Sequence, residues 1–183
     1  MNKPYLRCGS FLIVLLISGA FGQNCPKWGD KASALKFLQD NKGNSTAADP
    51  ACVNRAFNTL SRDKSSLEAL IGLLDFERSI EKDDGLKGMS SRYPAIGALM
   101  DIGQPAEPLL IKTIKESESE LIRTNAAHTL GAIHRPCVRA LLSKLDREAD
   151  KSETSAEQQT RLRAAKEYIG NFYPPCKSET STQ

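Results

Sequence analysis

Cysteine and histidine are the residues of this chain whose chemistry could go beyond packing. The 183 residues include five cysteines, of which Cys8 lies in a leader that we expect to be removed. No C-x-x-C pair and no Cys/His cluster occurs, which disfavours a metal-binding or reactive thiol. An even number of cysteines in an exported chain favours two disulfides, for which three connectivities are possible. The four cysteines that remain are Cys25, Cys52, Cys137 and Cys176.

The two histidines do not form a metal or proton-transfer pair in the sequence. Six residues apart on one helix, His128 and His134 would point about 120° away from each other. We therefore expect His128 on a helix surface or in a contact between helical units. His134 and Cys137 could form an activated thiol, but a disulfide at Cys137 would abolish that chemistry.

Motifs that carry known chemistry are missing from the sequence. There is no nucleophile elbow, no phosphate-binding glycine loop and no EF-hand pattern. We expect no catalytic residue, no metal ligand and no cofactor.

The first 22 residues predict a secretory signal peptide. Lys3 and Arg7 supply positive charge, an apolar run extends from Phe11 to Phe21, and cleavage is expected after Gly22. The apolar run is well short of the roughly 20 residues that a membrane-spanning helix needs, so we favour cleavage over anchoring. The mature chain is expected to be secreted or periplasmic, without a stable membrane span.

Loss of the leader nearly balances the charge of the chain. Removal of Lys3 and Arg7 leaves 23 basic residues against 22 acidic ones. No basic run with interleaved aromatic residues occurs, which argues against nucleic acid as a partner.

Apolar residues recur at helical spacing through the mature chain, and no segment alternates as a strand would. We expect an all-α domain of about eight helices in antiparallel pairs over residues 23–176, then a disordered tail at 177–183. One helix is expected from 65 to between 74 and 80, a loop over 83–91, and one helix from about 92 to 102. The charged stretch 147–157 is either a linker or a helical extension.

A spaced pattern occurs twice, 31 residues apart, which is the signature of a repeated supersecondary unit. Its alanines would allow close helix approach, and its leucines and isoleucines would fill the groove between helical pairs. Its prolines would begin each second helix, and its arginines would pair with acidic groups or carbonyls of the preceding unit. The matching sets are Arg92, Ala95, Leu99, Ile102, Pro105, Leu110 and Arg123, Ala126, Leu130, Ile133, Pro136, Leu141.

The motif Arg-x-x-Ala-x-x-x-Leu-x-x-Ile, followed by a break, a proline and a leucine-rich second helix, resembles HEAT-like (HEAT/armadillo-type) repeats. Weaker copies occur at Arg161, Ala164 and Tyr168, and at Ala56 and Leu60. The resemblance implies a short right-handed α-solenoid of antiparallel helical hairpins that binds other macromolecules. It transfers no catalytic residue.

The disulfide connectivity that we favour is Cys25–Cys52 with Cys137–Cys176, because each bridge would clamp one end of an elongated helical stack. The bridges would close loops of 27 and 39 residues. Loops of that length are worth roughly 3.5 to 4 kcal/mol each in the chain-entropy model.

The function expected from the sequence is that of an exported, non-catalytic HEAT-like scaffold that binds a protein of unknown identity. The contact surface would be formed by the second helices of the hairpins. Two alternatives stay open: an all-α enzyme of lyase or hydrolase type with an unrecognised site, and a purely structural small protein. The exposed candidates on the second helices are Lys112, Lys115, Arg139 and Lys144.

Overall fold

A computed structural model describes residues 25–26, 28–44, 48–78, 86–173 and 176. Over these residues the chain has nine α-helices and no strand, which confirms the predicted all-α class. The expected signal peptide and the tail at 177–183 lie outside the described residues.

The helices follow one another with short connections. Two 3₁₀ turns, Lys64–Ser66 and Gln104–Ala106, precede the third and sixth helices. The α-helices are α1 (Lys31–Asp40), α2 (Pro50–Ser61), α3 (Leu67–Ile71), α4 (Leu86–Arg92), α5 (Pro94–Ile102), α6 (Glu107–Glu116), α7 (Glu120–Ile133), α8 (Arg139–Ala149) and α9 (Ala156–Phe172).

Side-chain caps explain where several helices begin. Asp30 accepts a hydrogen bond from the Ser33 backbone at the start of α1, and Ser119 accepts one from Ile122 at the start of α7. Ser155 begins α9 with the capping box that its spacing from Gln158 predicts. These caps satisfy backbone N–H groups that have no partner inside the helix.

The prediction of a helix from residue 65 to between 74 and 80 is wrong, because α3 ends at Ile71. Two long-range bonds draw the following backbone away from a helix. The Leu74 carbonyl accepts from the Asn125 side chain at 2.7 Å, and the Arg78 N–H donates to the Arg92 carbonyl at 2.7 Å. These two backbone groups, which would bond to each other in a continued helix, therefore bond to other parts of the chain, while the residues just after α3 form turn bonds three residues back.

The helix expected over about 92–102 is present but begins two residues later, at Pro94, whereas most of the loop expected over 83–91 is wrong. The structure has a helix ending at Arg92 and a second one beginning at Pro94. A proline disfavours the helical conformation in the residue before it, and Tyr93 has φ −119° and ψ 83°. The proline itself suits the first helical position. Residues 83–85 lie outside the described residues.

The remaining boundaries differ less from the prediction. α8 extends to Ala149 and turns follow, so the charged stretch 147–157 is part helix and part connection. The second helices begin at Glu107 and Arg139, slightly later than the expected starts at the two prolines.

The helices share one hydrophobic core. α2, α5, α7 and α9 pack side by side in that order, and α6 lies against α3, α7 and α9. α1 packs on α2, and α8 packs on α9. Four of the six repeated pairs contribute to this core: one pair of alanines, two of leucines and one of isoleucines are buried in it or packed against it. Both prolines of the pattern are exposed.

The two cysteine pairs lie near the two ends of the described chain. Cys25 joins α2 at Cys52 with a Cα–Cα distance of 5.1 Å, and Cys137 joins Cys176 at 4.8 Å. Both distances suit disulfides, and both pairings are those that we favoured from the sequence. A hydrogen bond of 3.0 Å from Arg139 to the Cys176 carbonyl also holds the C-terminal segment.

Tyr173, directly after α9, fills a slot that a glycine leaves open in α7. Its side chain is 2% exposed, and the Arg135 guanidinium lies 4.7 Å from the centre of its ring. A Cβ added at Gly131 would overlap the Tyr173 ring. Gly131 therefore allows the end of α9 to pack closely on α7.

Replacing Gly131 by alanine should lower the free energy of unfolding by about 1–3 kcal/mol, the usual penalty for overpacking a core. Urea unfolding monitored by circular dichroism measures it. Gly170→Ala is the matched control, because α9 leaves open space there and alanine is the better helix former. A Gly131→Ala protein as stable as the wild type would contradict this packing.

Candidate functional site

A cleft of about 240 Å³ lies between α6 and α8, two of the helices expected to form the contact surface. Its residues occupy one stripe of each helix, at helical spacing. We call it the α6–α8 cleft. It is lined by Pro108, Ile111, Lys112, Lys115 and Glu116 of α6 and by Lys144 and Glu148 of α8.

Three of the four lysine and arginine candidates come together at this cleft. Lys112, Lys115 and Lys144 all line it. Arg139 does not, because its side chain bonds to the carbonyl of Cys176. Periodicity identified exposed positions on these helices, but the partner of Arg139 comes from a distant part of the chain.

Two of the lysines at the cleft make at most a weak ion pair. Lys112 lies 3.9 Å from Glu116, and both side chains are more than half exposed, so the pair contributes little to stability. Lys115 makes no ion pair with any residue that the structure describes. The cleft therefore retains charge that can interact with a partner.

Glu107, at the start of α6, is a buried carboxylate that the sequence patterns did not single out. Its Oε1 lies 2.5 Å from Lys144 Nζ, and its Oε2 lies 2.7 Å from His134 Nε2. Burial by itself raises the pKa of Glu107, but the hydrogen bonds and positive charges of Lys144 and His134 outweigh it and lower the pKa below its usual value. The carboxylate thereby positions Lys144 at the cleft and ties α6 to the end of α7 and to α8.

A second groove, of about 390 Å³, lies on the other side of α6 against α3 and the start of α7. Ile71, Leu109 and Ile122 supply apolar surface to its lining. Lys112 and Glu116 belong to both this groove and the α6–α8 cleft. The outer face of α6 is thus a ridge with a depression on each side.

His128 is a core residue between α7 and α9, so the second of its two expected placements is the observed one. It is 2% exposed. The Tyr173 hydroxyl donates to the His128 carbonyl at 3.1 Å and lies 3.2 Å from Nε2, and the Tyr168 hydroxyl lies 3.2 Å from Nδ1. Burial, aided by the positive charge of Arg135, lowers the pKa of His128 to about 4. Burial raises the pKa of Tyr173 to about 12.

The His134–Cys137 alternative is not supported, because Cys137 is paired with Cys176 and the ring of His134 bonds to Glu107. In the described part of the chain, one group has three potential metal ligands close together: Cys25, Asp49 and Cys52. Its two sulfurs are joined to each other, so they do not offer thiolates to a metal.

The described helices include none long and apolar enough to cross a membrane.

The buried His128 should make stability depend on pH between 6.5 and 4. The unfolded chain binds the proton near pH 6.5 and the folded chain only near pH 4. Stability is therefore fully present above pH 6.5 and is lost as the pH falls towards 4, by roughly 3 kcal/mol. Urea unfolding from pH 7.5 to 4.5 measures this slope.

His128→Gln should flatten that slope while leaving His134 in place as an internal control. Glu107 contributes little over most of this range, because a carboxylate with a lowered pKa adds stability that is present above its unfolded value of 4.5 and is lost below it. Equal slopes for the wild type and His128→Gln would contradict the assignment.

No protein-family model, no curated protein and no solved structure matches this chain.

Proposed function

We propose that this chain is an exported, non-catalytic HEAT-like repeat scaffold, a short right-handed α-solenoid, that binds another protein. The contact surface is the outer side of α3, α6 and α8, which we call the second-helix surface. The observation that carries this proposal is the ridge of α6 with a depression on each side, where Lys112, Lys115 and Lys144 converge.

The burial of the repeated positions supports the HEAT-like arrangement. Ala95 and Ala126 are both 0% exposed, as are Leu99 and Leu130. The first helices of the matched pair and of the weaker copy, α5, α7 and α9, pack in a row. These are the contacts that stacked helical hairpins make with their neighbours.

The arginines of the repeat also support it. Arg123 donates to the carbonyls of Ser117 and Glu118, and Arg161 of the weaker copy donates to the carbonyl of Lys115. Arg123 thus bonds to the connection before its own helix and Arg161 to α6, and bonds from these arginines to carbonyls earlier in the chain support the proposed repeat.

Export is supported by the cysteines and by the N-terminal sequence. Both cysteine pairs lie at disulfide distance, and disulfides persist in oxidising compartments. The signal-like segment at 1–22 supplies a route out of the cytoplasm.

The second-helix surface suits a protein segment of mixed character. Lysine side chains offer an apolar stem together with a charge, and both depressions have apolar residues in their lining. Lys112 and Glu116 line both sides of the α6 ridge. Beyond these shared residues, Glu68 lines the α3 side, whereas Lys115 lies with Lys144 and Glu148 on the α8 side. The α8 side is therefore the more positive of the two, which favours one orientation of a partner.

A photo-crosslinking residue in place of Lys115 should give one discrete adduct with an extracytoplasmic protein. The same residue in place of Lys36 is the matched control, because Lys36 is exposed on α1, far along the chain from the cleft. Lys112→Glu should reduce the adduct about tenfold, as loss of one central contact typically does. Electrophoresis and mass spectrometry of the adducts measure both effects.

Two results would count against the proposal. One is the absence of any adduct at position 115 in the native extracytoplasmic fraction. The other is the same set of adducts at positions 36 and 115, which would show indiscriminate collision.

A further inference from the structure

The outer face of α2 is a polar stripe that contains arginines and amides but no acid. Asn54, Arg55, Asn58, Thr59 and Arg62 follow helical spacing along it. The opposite face of the helix is apolar and buried in the core. We call these five residues the α2 stripe. They line an open groove of about 670 Å³ together with Trp28 and Ala51.

The charge of the α2 stripe is unbalanced. Arg55 and Arg62 form no ion pair with any residue that the structure describes, and none of the described residues lining the groove carries a carboxylate. Asp63, next to Arg62 in sequence, is already paired with Lys31 at 3.0 Å. The stripe therefore presents positive charge without a local counter-charge.

A third guanidinium lies at the same place. Arg78 donates to Asn54 Oδ1 at 2.7 Å. It adds positive charge at the edge of the stripe and fixes the orientation of the Asn54 amide, whose NH₂ group then remains a donor. The arginines and the Asn54 amide thus offer donors and positive charge, whereas the Thr59 hydroxyl already donates to the Arg55 carbonyl at 2.9 Å.

Trp28 adds an aromatic wall to the groove. Its ring packs against Phe37 with the ring centres 4.7 Å apart, and its Nε1 is buried without an acceptor among the described residues. Tryptophan with arginine is the combination that most often supplies the energetically important contacts of protein interfaces.

The spacing of the arginines indicates the geometry of a ligand. Arg55 and Arg62 are seven residues apart, about 10 Å along a helix axis. In an extended polyproline II segment, which has three residues per turn and rises about 3.1 Å per residue, residues three apart lie on the same side at a separation of about 9 Å. Between the arginines, the Asn58 amide can hydrogen-bond to the backbone of such a chain, and Thr59 Oγ1 can accept from it while its own proton goes to the Arg55 carbonyl. A guanidinium binds a carboxylate with two parallel hydrogen bonds.

We propose that the α2 stripe is a second protein-contact site, which binds an extended acidic segment of a partner with carboxylates three residues apart. Charge complementarity carries this assignment: three arginines and the donors between them face outward, and no described acid neutralises them. The site shares no lining residue with the α6–α8 cleft. If the α2 stripe did not bind such a segment, the proposed function of the second-helix surface would still stand. If the second-helix surface bound no protein, the proposal for the α2 stripe would still stand.

Trp28 provides a direct reporter, because it is the only tryptophan of the chain. Titration of the full mature protein with a synthetic peptide that has aspartate at every third position should change its fluorescence saturably. The double variant Arg55→Gln/Arg62→Gln should raise the dissociation constant at least about tenfold, since two charge-assisted contacts are removed. Raising the salt concentration should weaken binding as well.

The matched control is Lys112→Gln/Lys115→Gln, which removes two exposed cations from the other candidate surface. It should bind the peptide as the wild type does. A peptide with asparagine in place of each aspartate should not bind. Circular dichroism verifies that each variant keeps its helical content.

Three outcomes would overturn the proposal. The first is equal binding by the wild type and Arg55→Gln/Arg62→Gln. The second is saturable binding of an oligouronate without binding of the peptide, which would assign the groove to an acidic saccharide. The third is peptide binding that occurs only after Glu81, Asp83 and Asp84 are neutralised, which would make the chain's own acidic segment the occupant.

Discussion

The carbonyl groups around the C-terminal end of α6 are the points on which the arrangement of the later helices depends. The last carbonyls of a helix lack partners within it, and here two arginines donate to one of them and to the two carbonyls that follow the helix. Arg123 of α7 bonds to Ser117 and Glu118, and Arg161 of α9 bonds to Lys115. The positive charges also lie at the negative end of the α6 dipole. One short stretch of backbone thus sets α7 and α9 against α6, and the position of α6 determines the ridge and its two depressions.

The parts of the fold that local patterns predict are those whose helices end at local signals. α7 and α9 begin at serine caps, and their apolar faces follow the helical period. The helix boundaries from α3 to α5 do not follow from local signals. There the backbone of Leu74 and of Arg78 bonds across the chain, and such bonds leave no mark in a local pattern. The 31-residue match equated Arg92 with Arg123, yet the first ends a helix and pairs with Glu77, whereas the second lies inside α7.

The candidate surfaces, too, were predictable only in part from local patterns. Exposed lysines on α6 and α8 follow from periodicity, because the residues opposite an apolar stripe face solvent. The partners of those residues do not follow from it. Glu107 pairs with His134 and Lys144, 27 and 37 residues away, and that distance hides the connection. The α2 stripe did carry a signal in the sequence: α2 contains no acidic residue. That signal becomes informative only with the structure, which shows that Asp63 already pairs with Lys31.

Both proposed surfaces stand on helices that other contacts hold in place, and this bears on how they would bind. A short stack of helical units has few neighbours to stabilise its ends. Here Cys52 ties α2 to the N-terminal segment, and Tyr173 with Cys176 ties the chain after α9 to α7 and Cys137. Glu107 fixes Lys144 by a hydrogen bond, and Arg78 fixes Asn54. Side chains that are already oriented lose less conformational entropy when a partner arrives. If these surfaces bind as proposed, much of the ordering that binding requires is already present in the folded chain.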